Sequence, residues 1–538
     1  MNLKIKRALL SVSDKTQLLD LAERLAGRGV ELIATGGTYQ KIFEAGFPVT
    51  KVEEITHTPE LFDGRIKTLS FNLMGGLLFD RKNSEHVSQA ATHGIGAIDM
   101  IVVNLYPFEE KLKSKKTWDI LIENIDIGGP TMIRASAKNY KNVAVLTNPA
   151  QYQGFLEEFD KNGAVSVQSR FEWAKQAFMM TAKYDGLIAN TWQDQNTTDC
   201  EKAREINFLA LENISKLRYG ENPHQNAHWK KDALDVTAGS RGFSNAKILQ
   251  GKPLSYNNLL DMEVAYKTSC ELEKLMENEG SCSGNFGAVI VKHLTPCGLA
   301  LGKSQLEALE WAWSGDPTSS FGSIIALSGS VEEDTATWLS KKFIEIIIAP
   351  DFSNKAIEIL GAKKNLRLIK QPMSTFTDTE EIRSIGSGEY LVQDPDWDHD
   401  REFKSVTKCK FPAELHTMAK FGTLTTKYLK SNAVSVVGIG PHGLPMLLSA
   451  GMGQPNRLEA ISYLLGPRLL AKDFVDYNKC VVVSDAFFPF ADSIESLDQL
   501  NLKYIVQPGG SIKDSEVIGA CDELGLSMVL TGRRHFKH

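Results

Sequence analysis

Cysteine is scarce and unpaired. The seven cysteines, at 200, 270, 282, 297, 409, 480 and 521, include no C-x-x-C spacing. The chain therefore offers neither a disulfide framework nor a cysteine-rich zinc site, and it reads as a protein of a reducing compartment, the cytoplasm. Long apolar runs are also missing, so no membrane span is expected. Behind the basic start Met1–Arg7 the apolar run is only Ala8-Leu9-Leu10, too short for a signal peptide and read as a first strand. Cations are not in excess: a net charge of −6 leaves no electrostatic footprint for nucleic acid. Neither a P-loop nor a dinucleotide-binding fingerprint is read, so the ligand need not be a nucleoside triphosphate or a dinucleotide. At 538 residues the chain is too long for one core and implies two or more domains.

What is present is alternation. Lys6–Val12 reads as a strand, and Asp14 as the cap of a helix with Leu18, Leu21, Ala22 and Leu25 on one face, ending at Gly27 and Gly29. Val30–Ala34 is the next strand, closing in Thr35-Gly36-Gly37-Thr38; Met100–Val103 and Val143–Leu146 are later ones. Repeated βα units imply a parallel sheet with its site at the strand C-termini. The polar, aperiodic Asn190–Cys200 reads as a domain boundary. Beyond it a larger α/β region holds strands at Ala288–Val291, Ile324–Leu327, Val434–Val437, Cys480–Ser484 and Tyr504–Gln507. Near the N-terminus Ser13-Asp14 is followed by Gly36-Gly37-Thr38; near the C-terminus Ser484-Asp485 is followed at almost the same distance by Gly509-Gly510-Ser511. Duplication and convergent βαβ design both produce such an echo, and both loops offer backbone N–H groups to an anion.

Four segments of the first region suit a phosphorylated small molecule. They are Ser11–Thr16 with Ser13 and Lys15; Thr35–Thr38; Arg65-Ile66-Lys67-Thr68; and Ile125–Thr131, where Asp126 precedes Gly128-Gly129 at the start of a helix carrying Arg134 and Lys138 on one face. Asn104-Leu105-Tyr106 adds an amide and a phenol. In the second region the apolar run Val289–Val291 ends in Lys292-His293, followed by Thr295-Pro296-Cys297-Gly298, read as a turn. An ammonium beside a group titrating near neutrality suits proton transfer coupled to stabilisation of a developing oxyanion. Other polar or glycine-rich pieces are Leu217–Gln225, the loop Leu254–Asp261 entering a helix, the turn Asp316–Gly322, the strand start Lys430–Ala433, and Gly451–Gln454 with Arg457. Asp485–Phe490 sets aromatics beside a carboxylate, suited to a flat heterocycle, and the chain closes in the basic tail Thr531–His538.

In order, SVSDKT, ATGGT, GRIKTL, NLYPF, IDIGGPTMIRASAKN, LRYGENPHQ, KHLTPCG, SDAFFPF and PGGS resemble the AICAR transformylase/IMP cyclohydrolase family of purine biosynthesis, from Ser11 to His538. The resemblance implies an α/β protein of two domains. Residues 1–199 would form a methylglyoxal-synthase-like cyclohydrolase; residues 200–538 would form a cytidine-deaminase-like transformylase without zinc. It implies formyl transfer from 10-formyltetrahydrofolate to the 5-amine of AICAR, giving FAICAR, then cyclodehydration of FAICAR to IMP, with no catalytic metal. By the same resemblance His293 is the general base, Lys292 stabilises the oxyanion or protonates the folate nitrogen, and Asn432 orients the formyl group. Arg218, Tyr219, Asn258, Glu345, Arg457 and Arg534 would hold the nucleotide; Phe321, Gly322, Phe487 and Asp492 would form the folate side. In the first domain Lys67, Tyr106, Asp126 and Lys138 would carry ring closure, with Ser13, Lys15, Thr35, Gly36, Gly37, Thr38, Arg65, Thr68 and Asn104 around phosphate and sugar. A homodimer with transformylase sites built from both subunits is implied, and neither nucleic acid nor membrane is a partner.

The chain departs from the family pattern. The family usually reads KTLHPxxHGG where this sequence has Lys67-Thr68-Leu69-Ser70-Phe71-Asn72-Leu73-Met74-Gly75-Gly76; Tyr140 stands at a usual histidine, Ser323 at a usual glycine and Thr295 at a usual asparagine. An alternative is therefore a transformylase whose N-terminal domain only binds nucleotide. A regulatory sensor is opposed by the retention of Lys292, His293 and Asn432.

Overall fold

Short β-branched and leucine-rich runs bounded by glycine and polar turns become strands here, and the longer runs with a 3.6-residue apolar period become the helices that cover them. The computed structural model describes residues 2–59, 62, 66–195, 208–235, 242–373, 380–396 and 402–538. It divides into two units, Met1–Glu212 with Lys231–Thr237, and Asn213–Lys230 with Ala238–His538. No helix among the described residues is long and apolar enough to cross a membrane.

Unit 1 holds a five-stranded sheet in the order Thr50–Lys51, Glu31–Ala34, Arg7–Val12, Met100–Asn104, Ala144–Leu146, parallel throughout. Strand order reverses beside Arg7–Val12, so a crevice opens at the C-terminal ends of the central strands. Two details differ from expectation. Asp14 does not cap the first helix, which begins at Leu18 behind a left-handed Gln17; the carboxylate instead accepts from Thr16 N–H at 2.9 Å. The polar stretch from Asn190 is helical as far as Gln195, the end of the helix Val167–Gln195. Thr191 returns its hydroxyl to Leu187 O and Trp192 packs edge-on against Trp118, which turns a polar run into a helix end. Residues 196–200 lie outside the described residues.

Unit 2 is built on a twelve-stranded sheet whose two halves share one topology. In the first, the hairpin Phe286–Lys292/Thr295–Gly302 lies antiparallel to Ser323–Leu327, which is followed in parallel by Ile344–Ala349 and Arg367–Lys370. In the second, the hairpin Val434–Ile439/Pro445–Gly451 lies antiparallel to Cys480–Ser484, followed in parallel by Tyr504–Gln507 and Ser527–Leu530. The halves join where Ala300 pairs with Met446. A duplication thus lies within unit 2, where the counterpart of the strand ending at Ser484 is the one ending at Leu327; the echo with Ser13-Asp14 joins a different topology. The helices Tyr256–Asn278 and His416–Lys427 bury one face of the sheet, and Gln305–Gly315, Glu333–Ser340, Asn354–Gly361, Asp492–Gln499 and Asp514–Leu524 bury the other.

Three local readings change. Thr295–Gly302 is a strand, so Pro296-Cys297-Gly298 is not the turn; His293 and Leu294 are, both left-handed with φ of 51° and 62°. Asp316–Gly322 contains the short helix Pro317–Ser320, capped by Asp316 through Ser319 N–H at 3.0 Å. Gly438-Ile439-Gly440-Pro441-His442-Gly443 has the spacing of a dinucleotide fingerprint, but it ends one strand and turns into an antiparallel neighbour, with no helix to receive a pyrophosphate.

Gly298 is glycine because a Cβ there would stand 2.1 Å from Ala312 O. Gly298→Ala should lower unit 2 stability by about 1–3 kcal/mol through overpacking, read as a fall in urea midpoint at unchanged m-value.

Candidate functional site

In unit 1 a cavity of about 690 Å³ opens at the C-terminal ends of the central strands. Ser13, Lys15, Thr35, Gly36, Gly37, Thr38, Lys67, Thr68, Asn104, Tyr106 and Asp126 line it. Several build the walls. Thr38 Oγ1 accepts from Val12 N–H at 3.0 Å and donates to Val12 O at 3.1 Å. Asn104 Oδ1 accepts from the N–H groups of Ser13 and Asp14 at 2.6 and 2.9 Å, while its NH₂ donates to Asp14 O. Thr35 donates to Ser11 Oγ. These side chains shape the loop with the same polar atoms that a ligand would need.

The ammonium groups are placed differently. Lys67 Nζ lies 3.1 Å from where a Gly36 Cβ would stand and Lys15 Nζ 3.8 Å from that of Gly37. Two cations thus meet the first turn of the helix Gly36–Glu44, the positive end of its dipole, an arrangement that an anion between them stabilises. Glu53 approaches Lys67 at 3.5 Å. Asp126 Oδ1 accepts from Gly129 N–H at 2.8 Å, and Asp126 N–H donates to Tyr184 Oη at 2.8 Å. Burial raises the Asp126 carboxyl above the usual range, against backbone N–H bonds from Gly129 and Tyr106 that pull it back. Both glycines are required: a Cβ at 129 would meet Asp126 Oδ2 at 2.5 Å, and one at 128 would meet Thr68 Oγ1 at 2.2 Å.

Arg65 lies outside the described residues. Lys138 does not line the cavity; it is exposed at the far end of the helix Gly128–Lys138, about 15 Å along the axis from its first turn. Of the departures from the family pattern, Ser70, Phe71, Met74 and Tyr140 stay off this cavity, whereas Thr295 lines the cavity beside Lys292 in unit 2. Ser70 caps the helix Phe71–Leu78 by accepting from Leu73 N–H, Phe71 stands exposed against His93, Met74 packs on the core, and Tyr140 leans on Phe171. The cavity has an apolar side that the sequence motifs do not announce: Ile122, Ile125, Ile127, Met132 and Trp192. Trp192 was obscured by its polar neighbours; an indole in such a stretch was the available signal.

In unit 2, strand direction gathers the chemistry. Lys292, Gly451, Ser484, Gln507 and Leu530 end strands, and Ser323, Ile344 and Val434 begin them, at one end of the sheet. Lys292 Nζ is held by Phe321 O at 2.9 Å and Gly322 O at 2.8 Å, leaving its third proton for a ligand. Next to it a cavity of about 570 Å³ lies between Thr295–Gly302 and Pro445–Gly451, lined by Lys292, His293, Asp316, Ser449, Arg468 and Lys472 among others. Burial pulls the Lys472 amine down while Asp316 pushes it back up, and burial pushes the Cys297 thiol up to about 12, an unreactive thiol.

Asn432 stands at the same end but three strands away in the sheet order, on the other side of this cavity's strand pair. Its NH₂ donates to the carbonyls of Gln454 and Pro455, and its Oδ1 accepts from Arg457 Nη2 at 3.0 Å. Arg457, buried, also pairs with the fully buried Asp485 at 2.7 Å and donates to Phe487 O. Ser431 Oγ donates to Asp485 Oδ2, and the C-terminal tail docks here through Lys537 N–H to Ser431 Oγ and His535 N–H to Asp485 O. None of Arg218, Tyr219, Asn258, Phe321, Gly322, Glu345, Asn432, Arg457, Phe487, Asp492 and Arg534 lines the Lys292 cavity. Several are engaged locally. Arg218 lies over the Tyr219 ring, and Asn258 forms a capping box with Ser255. Glu345 pairs with buried Arg367 at 2.9 Å, Asp492 accepts from Ser493 N–H, and Arg534 lies over Phe536.

A parallel sheet with a cationic crevice, joined in one chain to a duplicated mixed sheet with a fixed ammonium and an imidazole at its edge, defines a two-site α/β enzyme for small anionic ligands. Residues 17–131 match the model of the MGS-like domain, and residues 136–465 that of the AICARFT/IMPCHase bienzyme. The bifunctional purine biosynthesis protein PurH of Clostridium botulinum (strain Hall) is 43% identical over 537 residues, covering 99% of this chain and 100% of that one. The protein of the same name from Polynucleobacter necessarius is 41% identical over 544 residues, with 99% and 100% covered. The chain belongs to the AICARFT/IMPCHase bienzyme family, the bifunctional enzymes of purine biosynthesis that join AICAR formyl transfer to IMP cyclisation.

Because the folded Asp126 carboxyl is raised, the folded state binds its proton more tightly than the unfolded chain does. Its contribution to stability therefore falls as pH climbs from the ordinary carboxyl value, about 3.9, through the raised one. Asp126→Asn should melt at a higher temperature than the wild type at pH 7, and the gap should close below about pH 4. Calorimetry at the two pH values reads this directly.

Proposed function

We propose that residues 1–199 carry the IMP cyclohydrolase and residues 200–538 the AICAR transformylase, with 10-formyltetrahydrofolate as the formyl donor. The observation that carries this reading is the meeting of two ammonium groups, a desolvated carboxylate and a phenol around one crevice in unit 1, in a chain that also fixes an ammonium beside His293.

In formyl transfer the 5-amine of AICAR attacks the formyl carbon and its proton passes to the His293 imidazole. The oxyanion that develops meets the third proton of Lys292, already oriented by the two carbonyls. The bond from carbon to N10 then breaks and N10 takes a proton, leaving tetrahydrofolate and FAICAR. In ring closure the carboxamide nitrogen attacks the formyl carbon and gives its proton to Asp126. The adduct oxygen takes one proton from Lys67 or Tyr106 and a second from Asp126 as it leaves as water, while the formamide N–H proton returns to Lys67 or Tyr106 as the ring C=N bond forms. A raised carboxyl is the stronger base for that task. Lys15 and the Gly36-Gly37 turn would take the phosphate, and Trp192 with Ile122 and Ile127 would face the ring. Lys138, Arg218 and Arg534 do not line the two cavities described, as expected of residues that complete a second copy's site, and a homodimer in the cytoplasm is the assembly proposed.

Purified protein given AICAR and 10-formyltetrahydrofolate should form both tetrahydrofolate and IMP; tetrahydrofolate without IMP would leave unit 1 a nucleotide-binding module. His293→Ala should slow formyl transfer by about 10²–10⁴-fold and leave cyclisation of supplied FAICAR intact. Base–aromatic stacking is worth about 1–3 kcal/mol, so Trp192→Ala should raise KM for FAICAR by about 5- to 150-fold. IMP should quench tryptophan fluorescence in the wild type and lose most of that effect in Trp192→Phe.

A further inference from the structure

The catalytic turn of unit 2 is built from residues that disfavour it. Lys292 pairs with Thr295, leaving His293 and Leu294 as a two-residue hairpin loop with positive φ at both positions. Loops of this form are usually Asn-Gly, because a Cβ crowds the left-handed backbone. Something outside the hairpin must select this conformation. Asp261, in the second turn of the helix Tyr256–Asn278, lies across from the loop: its Oδ1 accepts from Leu294 N–H at 2.6 Å. The N–H of the turn's second residue is therefore held by one half-buried carboxylate, 33 residues away in sequence. Burial raises that carboxyl, and the Leu294 N–H bond and the neighbouring His293 and Lys292 oppose the rise.

We propose that Asp261 is a positioning residue for formyl transfer: it holds the His293–Leu294 turn left-handed and so aims the His293 imidazole. The inference rests on His293 being the base. In Asp261→Asn a neutral amide carbonyl replaces the anion, so the bond that anchors Leu294 N–H weakens at nearly unchanged volume.

The test is a cycle of Asp261→Asn and Leu294→Gly in the full chain, with His293→Ala as reference. Asp261→Asn should lower kcat for formyl transfer by about 10- to 100-fold, the scale of a roughly 1 Å misplacement. It should leave KM for AICAR near the wild-type value, which reports a folded unit 2, and leave FAICAR cyclisation unchanged. Glycine adopts the left-handed region freely, so in the Leu294→Gly background the same Asp261→Asn change should cost much less in kcat. Near-normal formyl transfer in Asp261→Asn with His293→Ala inactive overturns the inference. An equal loss in both backgrounds, or a loss carried by KM alone, also overturns it. Near-normal formyl transfer in His293→Ala overturns the assignment of the base instead, and the two failures are told apart in one set of assays.

Discussion

Burying a guanidinium and a carboxylate together costs several kcal/mol per ion in desolvation, and the pair persists only where further hydrogen bonds engage the remaining donors and lone pairs. Arg457 and Asp485 meet most of that condition at the strand ends of unit 2, with only the pair's buried Arg457 Nε left without a partner. Asn432 Oδ1, Phe487 O and Asp485 Oδ1 take three bonds from the guanidinium, and Ser431 covers the other carboxylate oxygen. The consequence is geometric: the segment before Val434, the turn at Gly453–Arg457, the end of Cys480–Ser484 and the C-terminal tail cannot move independently. Asn432 is pinned through both ends of its amide, so whatever it orients is oriented by a charge pair that solvent does not reach.

The strands named from the sequence are mostly apolar, buried runs, and their limits in the structure lie within about two residues of that reading, but Ile344–Ala349, Arg367–Lys370 and Pro445–Gly451 fall outside it. Turns were less legible. Pro296 and Gly298 carry turn composition, but a proline at a strand start and a glycine under a helix carbonyl fit a strand equally well. His293 and Leu294 carry none, yet they form the turn, because a carboxylate from another element stabilises what their own backbone disfavours. The duplication in unit 2 was invisible for a related reason: it is kept in strand direction and pairing rather than in residue identity, whereas the Ser-Asp and Gly-Gly echo is local composition shared by two topologies.

The unit 1 crevice was largely legible, since consecutive strand ends of a parallel sheet must face it and the motif residues sit on those ends. What the sequence could not separate was facing from building. Thr38 and Asn104 belong to the cradle with their polar atoms bonded to the loop, and Lys138 is carried away by helix rise. Contacts such as Asp261 with Leu294, or Trp192 with the crevice, depend on tertiary placement and leave no periodic trace.

The two sites also solve opposite electrostatic problems. In unit 1 a carboxylate is made more basic by withdrawing water from it, and glycines at 128 and 129 admit the backbone that keeps it partly bonded. In unit 2 an ammonium rests on two carbonyls while one N–H stays available. Formyl transfer generates an oxyanion and needs a fixed cation at that moment; dehydration needs a base strong enough to take an amide proton and donors beside the departing oxygen. A single pocket would have to desolvate a carboxylate and solvate an ammonium with the same atoms. On the proposed assignment, separate cores for the two reactions remove that conflict, and the chain length that excludes a single domain is what makes the separation available.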